Sequence, residues 1–295
     1  MVQAMTPATF PGVHCVLFAL FDDAGKLDRG AMAAQVAYVR AAGADGIVVL
    51  GLATEVGKLT VEERCQIIHW ARTDAQGLPL GVTITGNSVA EQQALIAVAE
   101  GAGADWLILQ PPLAGSYGAV EYVNFFAEVG QSARLPFAIQ NAPQYLGRSL
   151  SGDDIAALQA RCPGFTMIKS ETGPVDLAAL VTRHGEALSV MNGRGGMEMT
   201  DCLRAGCNGF IVAPDVLPGV LRCWTAWQTG DHAGAEAAYA AFLPAAIFGM
   251  QSLETLACYG KRVFGLRAGI AIHDRAPAMR PDAFGLAMAA RWAAT

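Results

Sequence analysis

The feature that most constrains this chain is a connection written three times: Ala42-Gly43-Ala44-Asp45-Gly46, Ala102-Gly103-Ala104-Asp105-Trp106 and Ala205-Gly206-Cys207-Asn208-Gly209. Each follows a run with helical spacing and leads into a short apolar run. Glycine is the residue that a left-handed helix end requires, so each reads as a helix-to-strand turn. Short apolar runs alternate with longer amphipathic ones along the chain. The apolar runs are Val13 to Leu20, Gly46 to Leu50, Leu80 to Thr85, Trp106 to Gln110, Phe137 to Gln140, Phe165 to Lys169, Leu188 to Met191 and Gly209 to Val212. Their starts lie roughly 20 to 35 residues apart, which predicts an α/β fold of parallel strand-helix units. The count of eight favours a (β/α)8 TIM barrel. No Gly-x-Gly-x-x-Gly follows the first strand, so a dinucleotide-binding sheet loses support.

Local signals place the helices. Thr60 with Glu63 three residues on is a capping box that starts a helix running to about Asp74, and Ser88 caps another that runs to Glu100. Further helices are expected over Arg29 to Ala42, Ala119 to Gly130, Gly152 to Arg161, Val175 to His184 and Met197 to Ala205. From Asp231 the strands stop. Helices are expected over Ala233 to Phe242, Ala246 to Gly265 and Asp282 to Ala294, with a break at His273 to Pro277. The expected organisation is a barrel over residues 1–230 and a C-terminal helical bundle over 231–295.

Composition narrows the function. Hydrophobic residues make up 53% of the chain and charged ones 16%, enough apolar material for a large core. A net charge of −6 with no basic run argues against a nucleic-acid partner. Met1 to Pro11 lacks a charged stretch followed by an apolar one, and no apolar run reaches about 18 residues, so neither export nor a membrane partner is expected. The seven cysteines include no C-x-x-C pair and suit a reducing cytoplasm. The five histidines are dispersed without ligand spacing, so no metal site is expected.

The chemistry of such a barrel lies at the C-terminal ends of its strands, and polar residues collect there. The sixth strand ends in Lys169-Ser170-Glu171 before a Gly-Pro break. The chain has only four lysines: Lys26, Lys58, Lys169 and Lys261. A lysine ending a buried strand is either a paired structural cation or a neutral amine kept for chemistry, and neutral amines form Schiff bases with carbonyls. Glu171, two residues on, points to the same side of a strand. It could handle a proton beside an imine carbon or merely pair with the lysine. Thr54 and the amides around Ala53 could hold a substrate carboxylate or form an ordinary turn. Arg194, flanked by Gly193 and Gly195, could read an acidic or polyhydroxy tail or be a solvated loop arginine. The segment Gly193-Arg194-Gly195-Gly196 could also bind phosphate. Asn192 ends the seventh strand and Gln140 the fifth.

Several of these stretches resemble the N-acetylneuraminate lyase / dihydrodipicolinate synthase superfamily. They are Gly51-Leu52-Ala53-Thr54-Glu55 with Leu59 to Glu63, Gln140-Asn141-Ala142-Pro143, Ile168-Lys169, Asn192-Gly193, Ala213-Pro214 and Arg275-Ala276-Pro277. The resemblance implies a barrel with a helical C-terminal appendage, often tetrameric. It implies that Lys169 forms an imine with pyruvate or another 2-keto acid, with no cofactor. Typical members carry Gly-Thr-Thr-Gly-Glu where this chain has Leu52 and Ala53, a tyrosine where Gln140 stands, and a further tyrosine at Leu113. Those hydroxyls form the family's proton relay, and an amide cannot shuttle protons by ionising. Glutamine at position 140 and glutamate at 171 are similar to the 2-keto-3-deoxy-L-arabonate dehydratase branch, although that branch carries acidic residues where Arg194 and Gly195 stand.

The expected activity is a Schiff-base dehydratase or aldolase acting on a 2-keto-3-deoxy sugar acid. In this reading Lys169, Glu171 and Gln140 are catalytic, and Ala53, Thr54, Asn192, Gly193 and Arg194 bind substrate. The alternatives are a pyruvate-condensing enzyme of the dihydrodipicolinate synthase type and a non-catalytic 2-keto-acid-binding barrel.

Overall fold

The computed structural model describes residues 9–147 and 149–295; residues 1–8, with most of the opening segment read above, and Arg148 lie outside the described residues. Eight strands close into a barrel in chain order: β1 (Gly12–Val16), β2 (Gly46–Val49), β3 (Leu80–Ile84), β4 (Trp106–Leu109), β5 (Phe137–Asn141), β6 (Phe165–Ser170), β7 (Ser189–Asn192) and β8 (Gly209–Val212). The ladders are parallel, and the fold is the expected (β/α)8 barrel. The helices are α1 (Arg29–Ala42), α2 (Val61–Ala75), α3 (Val89–Gly101), α4 (Ala119–Gly130), the single turn α5 (Pro143–Leu146), α6 (Gly152–Arg161), α7 (Pro174–His184), α8 (Met199–Arg204) and α9 (Leu217–Gln228).

The repeated turns do what their glycines require. Gly43, Gly103 and Gly206 have φ of 88°, 88° and 92°, the left-handed region open to glycine at no steric cost. The polar residue of the turn then ties the incoming strand to its predecessor. Asp45 Oδ2 accepts from the Val13 N–H at 2.7 Å, and Asn208 Oδ1 accepts from the Val190 N–H at 3.0 Å. Gly12 permits the first contact, since a Cβ there would lie 2.3 Å from the Asp45 carboxylate. Capping boxes stand at Thr60 with Glu63 and at Ser88 with Glu91, and Ser151 with Asp154 supplies a third.

The described residues divide into two compact units. One comprises Thr83–Asn192 and Asp201–Gly209 and holds β4 to β7 with α3 to α7. The other comprises Gly12–Val82, Gly193–Thr200 and Phe210–Thr295. The C-terminal helices fall in the same unit as β1 and β2.

Two expectations need correction. The first apolar run leaves the ladder after Val16, although Leu17 to Leu20 stay buried. At Phe18 the backbone is satisfied by a side chain instead: Gln35 of α1 accepts from the Phe18 N–H and donates to the Phe18 carbonyl, both at 2.9 Å. In the tail, no break falls between Phe242 and Ala246; α10 (His232–Gly249) continues through Pro244. A proline there removes one helical hydrogen bond, and burial of Phe242, Ala245 and Ala246 offsets the loss. Gly219 of α9 lets α10 approach closely, since a Cβ would lie 2.4 Å from that of Phe242. The chain breaks instead before Ser252, which caps α11 (Leu253–Thr255) by accepting from the Thr255 N–H. A π-helical segment, Leu256–Gly260, leads into α12 (Lys261–Ala268), and α13 (Ala283–Ala293) follows. Six of the seven cysteines are buried, and all seven are free thiols. Among the described residues no single helix is long and apolar enough to cross a membrane.

Candidate active site

The end of β6 alternates as a strand must. Gln140 of β5 lies in register with Lys169, and Asn141 with Ser170. Lys169 and Glu171 are 7% and 6% exposed, and their Nζ and Oε2 atoms are 3.3 Å apart. The next residues serve another surface: Ser170 and Thr172 share a hydroxyl hydrogen bond of 3.0 Å and line a cleft of about 430 Å³ with Ser151, Arg183 and His184.

Glu171 Oε2 also accepts a hydrogen bond, from the Gln140 amide at 2.6 Å. Gln140 Oε1 in turn accepts from Gln110 Nε2 at 3.1 Å. Gln110 directly follows β4, and its carbonyl accepts from Gln92 Nε2 of α3 at 2.8 Å. The other Gln92 contact is to the Gly86 carbonyl at 3.1 Å. A directed row of amides therefore ends on the carboxylate beside the lysine. An oxygen that accepts from an amide and faces an ammonium is not the one that carries a proton, so Glu171 Oε1 is the oxygen able to take one up. The backbone holds the pair as well, through the Glu171 N–H to the Asn141 carbonyl at 2.9 Å.

Neighbouring polar groups are committed to the frame. The Asn141 side chain closes the segment after β5, accepting from the Leu150 N–H at 2.8 Å and donating to the Leu150 carbonyl at 3.3 Å. Asn192 Nδ2 donates to the Thr172 carbonyl at 3.1 Å and to Cys202 Sγ at 3.6 Å. Its amide protons thus tie the segment after β6 to α8.

The remaining expected residues belong to the other unit. Thr54 is fully buried in a 3-10 turn, Leu52–Thr54. Its hydroxyl donates to the Leu17 carbonyl at 2.7 Å and its N–H to the Gly51 carbonyl at 3.0 Å. Neither proton is left for a ligand, so a carboxylate would have to take the Ala53 amide side of the turn. Glu55 follows with φ of 55°, and its two oxygens are bound separately, Oε1 by Lys261 and Oε2 by Lys58. Lys261 is 1% exposed and lies 5.1 Å from the Phe21 ring centroid; Arg275 covers that ring at 4.1 Å and pairs with Glu63 at 2.7 Å. Burial pulls the Lys261 pKa down from its ordinary value while Glu55 pulls it up.

Gly193 precedes a tight turn, Arg194–Gly196, closed by the Gly196 N–H to the Gly193 carbonyl at 2.9 Å. Arg194 has φ of 52° and is not a solvated loop arginine: Nε and Nη2 meet the Glu198 carboxylate at 3.1 and 2.7 Å. The turn therefore presents a fixed ion pair.

Sequence reasoning missed Gln92, the pairing of Gln110 with Gln140, Glu198, and the Glu55–Lys261 pair. A glutamine at the end of two adjacent strands was the available signal for the amide row. Among the described residues no group of three or more metal-ligating side chains stands together.

This architecture, with polar groups at its strand ends and a buried lysine beside a carboxylate, is that of a (β/α)8 barrel enzyme. Residues 9–248 match the model of the dihydrodipicolinate synthetase family, and the chain belongs to that family of aldolases and lyases. An L-2-keto-3-deoxyarabonate dehydratase from Azospirillum brasilense is 27% identical over 250 residues, 81% of each chain. A 4-hydroxy-tetrahydrodipicolinate synthase from Methanococcoides burtonii is 24% identical over 230 residues, 77% of this chain and 78% of its own. In fold, the chain resembles a prophage protein of the dihydrodipicolinic acid synthase family from E. coli K12, solved in complex with pyruvate. The TM-score is 0.88 at 23% identity, over 96% of this chain and 97% of that one.

Proposed function

We propose that this protein is a Schiff-base lyase that dehydrates or cleaves a 2-keto-3-deoxy sugar acid. The observation that carries the reading is the convergence of Lys169 Nζ and the Gln140 amide on one oxygen of a buried Glu171, which leaves the other oxygen without a partner among the described residues. The Lys169 amine, once neutral, attacks the keto carbon and water leaves, giving a protonated imine. That imine is an electron sink for C3. Glu171 Oε1 takes a C3 proton, and the C–H electron pair becomes the enamine double bond. The enamine then expels hydroxide from C4, with a proton supplied, for dehydration. In the cleavage variant Glu171 takes the C4 hydroxyl proton instead, the C3–C4 bond breaks and C4 leaves as an aldehyde. The bond's electrons form the enamine, and the enamine takes the proton back at C3 to give the imine. Water releases the product from Lys169.

Binding of the substrate carboxylate falls in this proposal to the Ala53 amide side of the Thr54 turn. Arg194, oriented by Glu198, reads the far end, while Asn192 and Gly193 shape the approach. The dehydratase relative supports the substrate class, and the pyruvate complex of the structural neighbour supports the keto-acid moiety. Condensation of the kind named by the synthase relatives is the weaker reading, because Gln140 and Leu113 stand where the family's relay hydroxyls are expected. Assembly into a homo-oligomer, a tetramer by the resemblance, is part of the same proposal.

Borohydride reduction after incubation with pyruvate, followed by peptide mass spectrometry, tests it. The expected result is a reduced pyruvyl adduct on Lys169. Absence of that adduct with pyruvate and with a longer 2-keto acid overturns the mechanism and favours the binding barrel.

A further inference from the structure

The amide row has a direction, and the direction has a cause. A glutamine amide presents a donor at one end and an acceptor at the other, and a half-turn about its last torsion exchanges them. In Gln140 the donor end faces Glu171 and the acceptor end faces Gln110. While Glu171 is ionised it selects that orientation unaided, because the reverse would set a carbonyl oxygen 2.6 Å from a carboxylate oxygen. Once Glu171 has taken a proton the selection is lost. A carboxyl O–H could then donate to a reversed Gln140 and be held there.

Gln110 prevents this. It is fully buried, and its Nε2 grips Gln140 Oε1 at 3.1 Å. Its own Oε1 is left buried without a hydrogen-bond partner among the described residues, a condition that calls for an explanation in a native structure. Rotating the Gln110 amide to relieve that oxygen would press it against Gln140 Oε1. Gln92 fixes the backbone beneath through the Gln110 carbonyl at 2.8 Å. The unpaired oxygen is thus the local cost of a row that points one way in both protonation states of Glu171.

We propose that Gln110 is a positioning residue for proton transfer, acting through Gln140 to keep the donor end of that amide on Glu171 throughout the cycle. This deepens the Schiff-base reading and rests on it. With Gln140 unable to accept, the proton taken from C3 stays on Oε1 of Glu171, from which it returns to substrate or leaving group.

Deuterium exchange at C3 of pyruvate in D2O isolates the step. Imine formation on Lys169 acidifies the methyl group, Glu171 removes a proton, and return of a deuteron to the enamine carbon places deuterium at C3. The rate is followed by proton NMR across pH for the wild-type chain, Gln110→Met and Gln110→Glu, with borohydride trapping in parallel. Gln110→Met frees Gln140 to turn. Its kcat for exchange should fall about tenfold, its acid limb should move to higher pH, and KM should stay within about twofold. Gln110→Glu can still donate to Gln140 when its introduced carboxyl is protonated. It should therefore match wild type at the acid end and fall away as pH rises, because the introduced carboxylate, once ionised, draws the Gln140 donor from Glu171.

Opposite pH dependences for the two variants support the proposal. Profiles identical to wild type, or one pH-independent loss common to both, overturn it while the wild-type adduct and exchange leave the Schiff-base reading standing. If Gln110→Met does not fold, the pH dependence of Gln110→Glu decides alone. A wild-type chain with neither adduct nor exchange overturns the Schiff-base reading and this inference together.

Discussion

Two buried lysine–glutamate pairs stand among the described residues, and they are built differently. Lys261 is the more deeply buried lysine, yet both oxygens of its partner Glu55 are occupied, one by Lys261 and one by Lys58, with Phe21 beneath the ammonium. Lys169 also meets a glutamate, but it shares a single oxygen of Glu171 with the Gln140 amide. The first carboxylate is saturated and fastens the start of α12 to the loop after β2. The second keeps an oxygen in reserve. Burial is therefore common to both lysines. Unused capacity on the partner is what separates Lys169, and it is what the Schiff-base proposal draws on.

The strongest way to break this comparison is Lys169→Arg. Arginine keeps a cation near Glu171 but forms no imine, so turnover of pyruvate exchange should fall at least about 1,000-fold with little loss of stability. Urea unfolding alongside the exchange assay checks both halves. A variant that keeps more than about a tenth of the activity ends the assignment of Lys169. Glu171→Gln comes next: exchange should slow by about 100- to 1,000-fold while borohydride still traps the adduct. Unchanged exchange would remove Glu171 from the mechanism.

Lys261→Met addresses the other pair. Breaking a buried ion pair commonly costs about 3–5 kcal/mol, but Lys58 still answers Glu55, so about 2–3 kcal/mol of stability should be lost in urea titration. The kcat of the folded protein should stay within about twofold, and a large fall in kcat would mean that the two pairs are not separate in role.

Asp215 supplies the smallest and most pH-specific test. It is a carboxylate in the same unit as Glu55, with Oδ1 buried and without a partner among the described residues, and burial pushes its pKa from 3.8 up to about 6. Between those values the native state holds a proton that the unfolded state has released, so stability falls as pH rises through the window. Asp215→Asn removes that slope. It should raise the melting temperature at about pH 7.5, by about 1–2 kcal/mol of stability, and leave it nearly unchanged at about pH 4. An equal effect at both pH values would refute the burial argument.

Much of the frame is legible in the sequence because its causes are local. The Thr60 and Ser88 caps, the glycines at 43, 103 and 206 and the bounds of α4 and α6 each depend on a few adjacent residues. Lys169 and Glu171 are legible as a pair because strand alternation fixes their common side. The amide row is not, since joining Gln110 to Gln140 requires knowing which strand ends meet. Nor is Lys261, whose partner lies 206 residues away. The helix expected over 246–265 fails for a local reason: Ser252 offers the chain a fresh helix start. Thr54 reads in the sequence as a carboxylate holder with the amides around Ala53 or as part of an ordinary turn, and the partner of its hydroxyl is not legible there: the first strand leaves its ladder after Val16, and the proton goes to the Leu17 carbonyl.

The π-helical segment at Leu256–Gly260 bears on all of this through angle. A wider turn takes up one residue more than an α-helical turn, and each residue advances a helix by about 100°. Lys261 is the first residue after that wider turn. Deleting one residue from it would restore the ordinary winding, swing position 261 about a quarter of the way round the helix and withdraw the ammonium from Glu55. The wider turn acts as a phase adjuster: it sets the compass bearing of one charge, and with it the anchorage of the loop that carries Thr54.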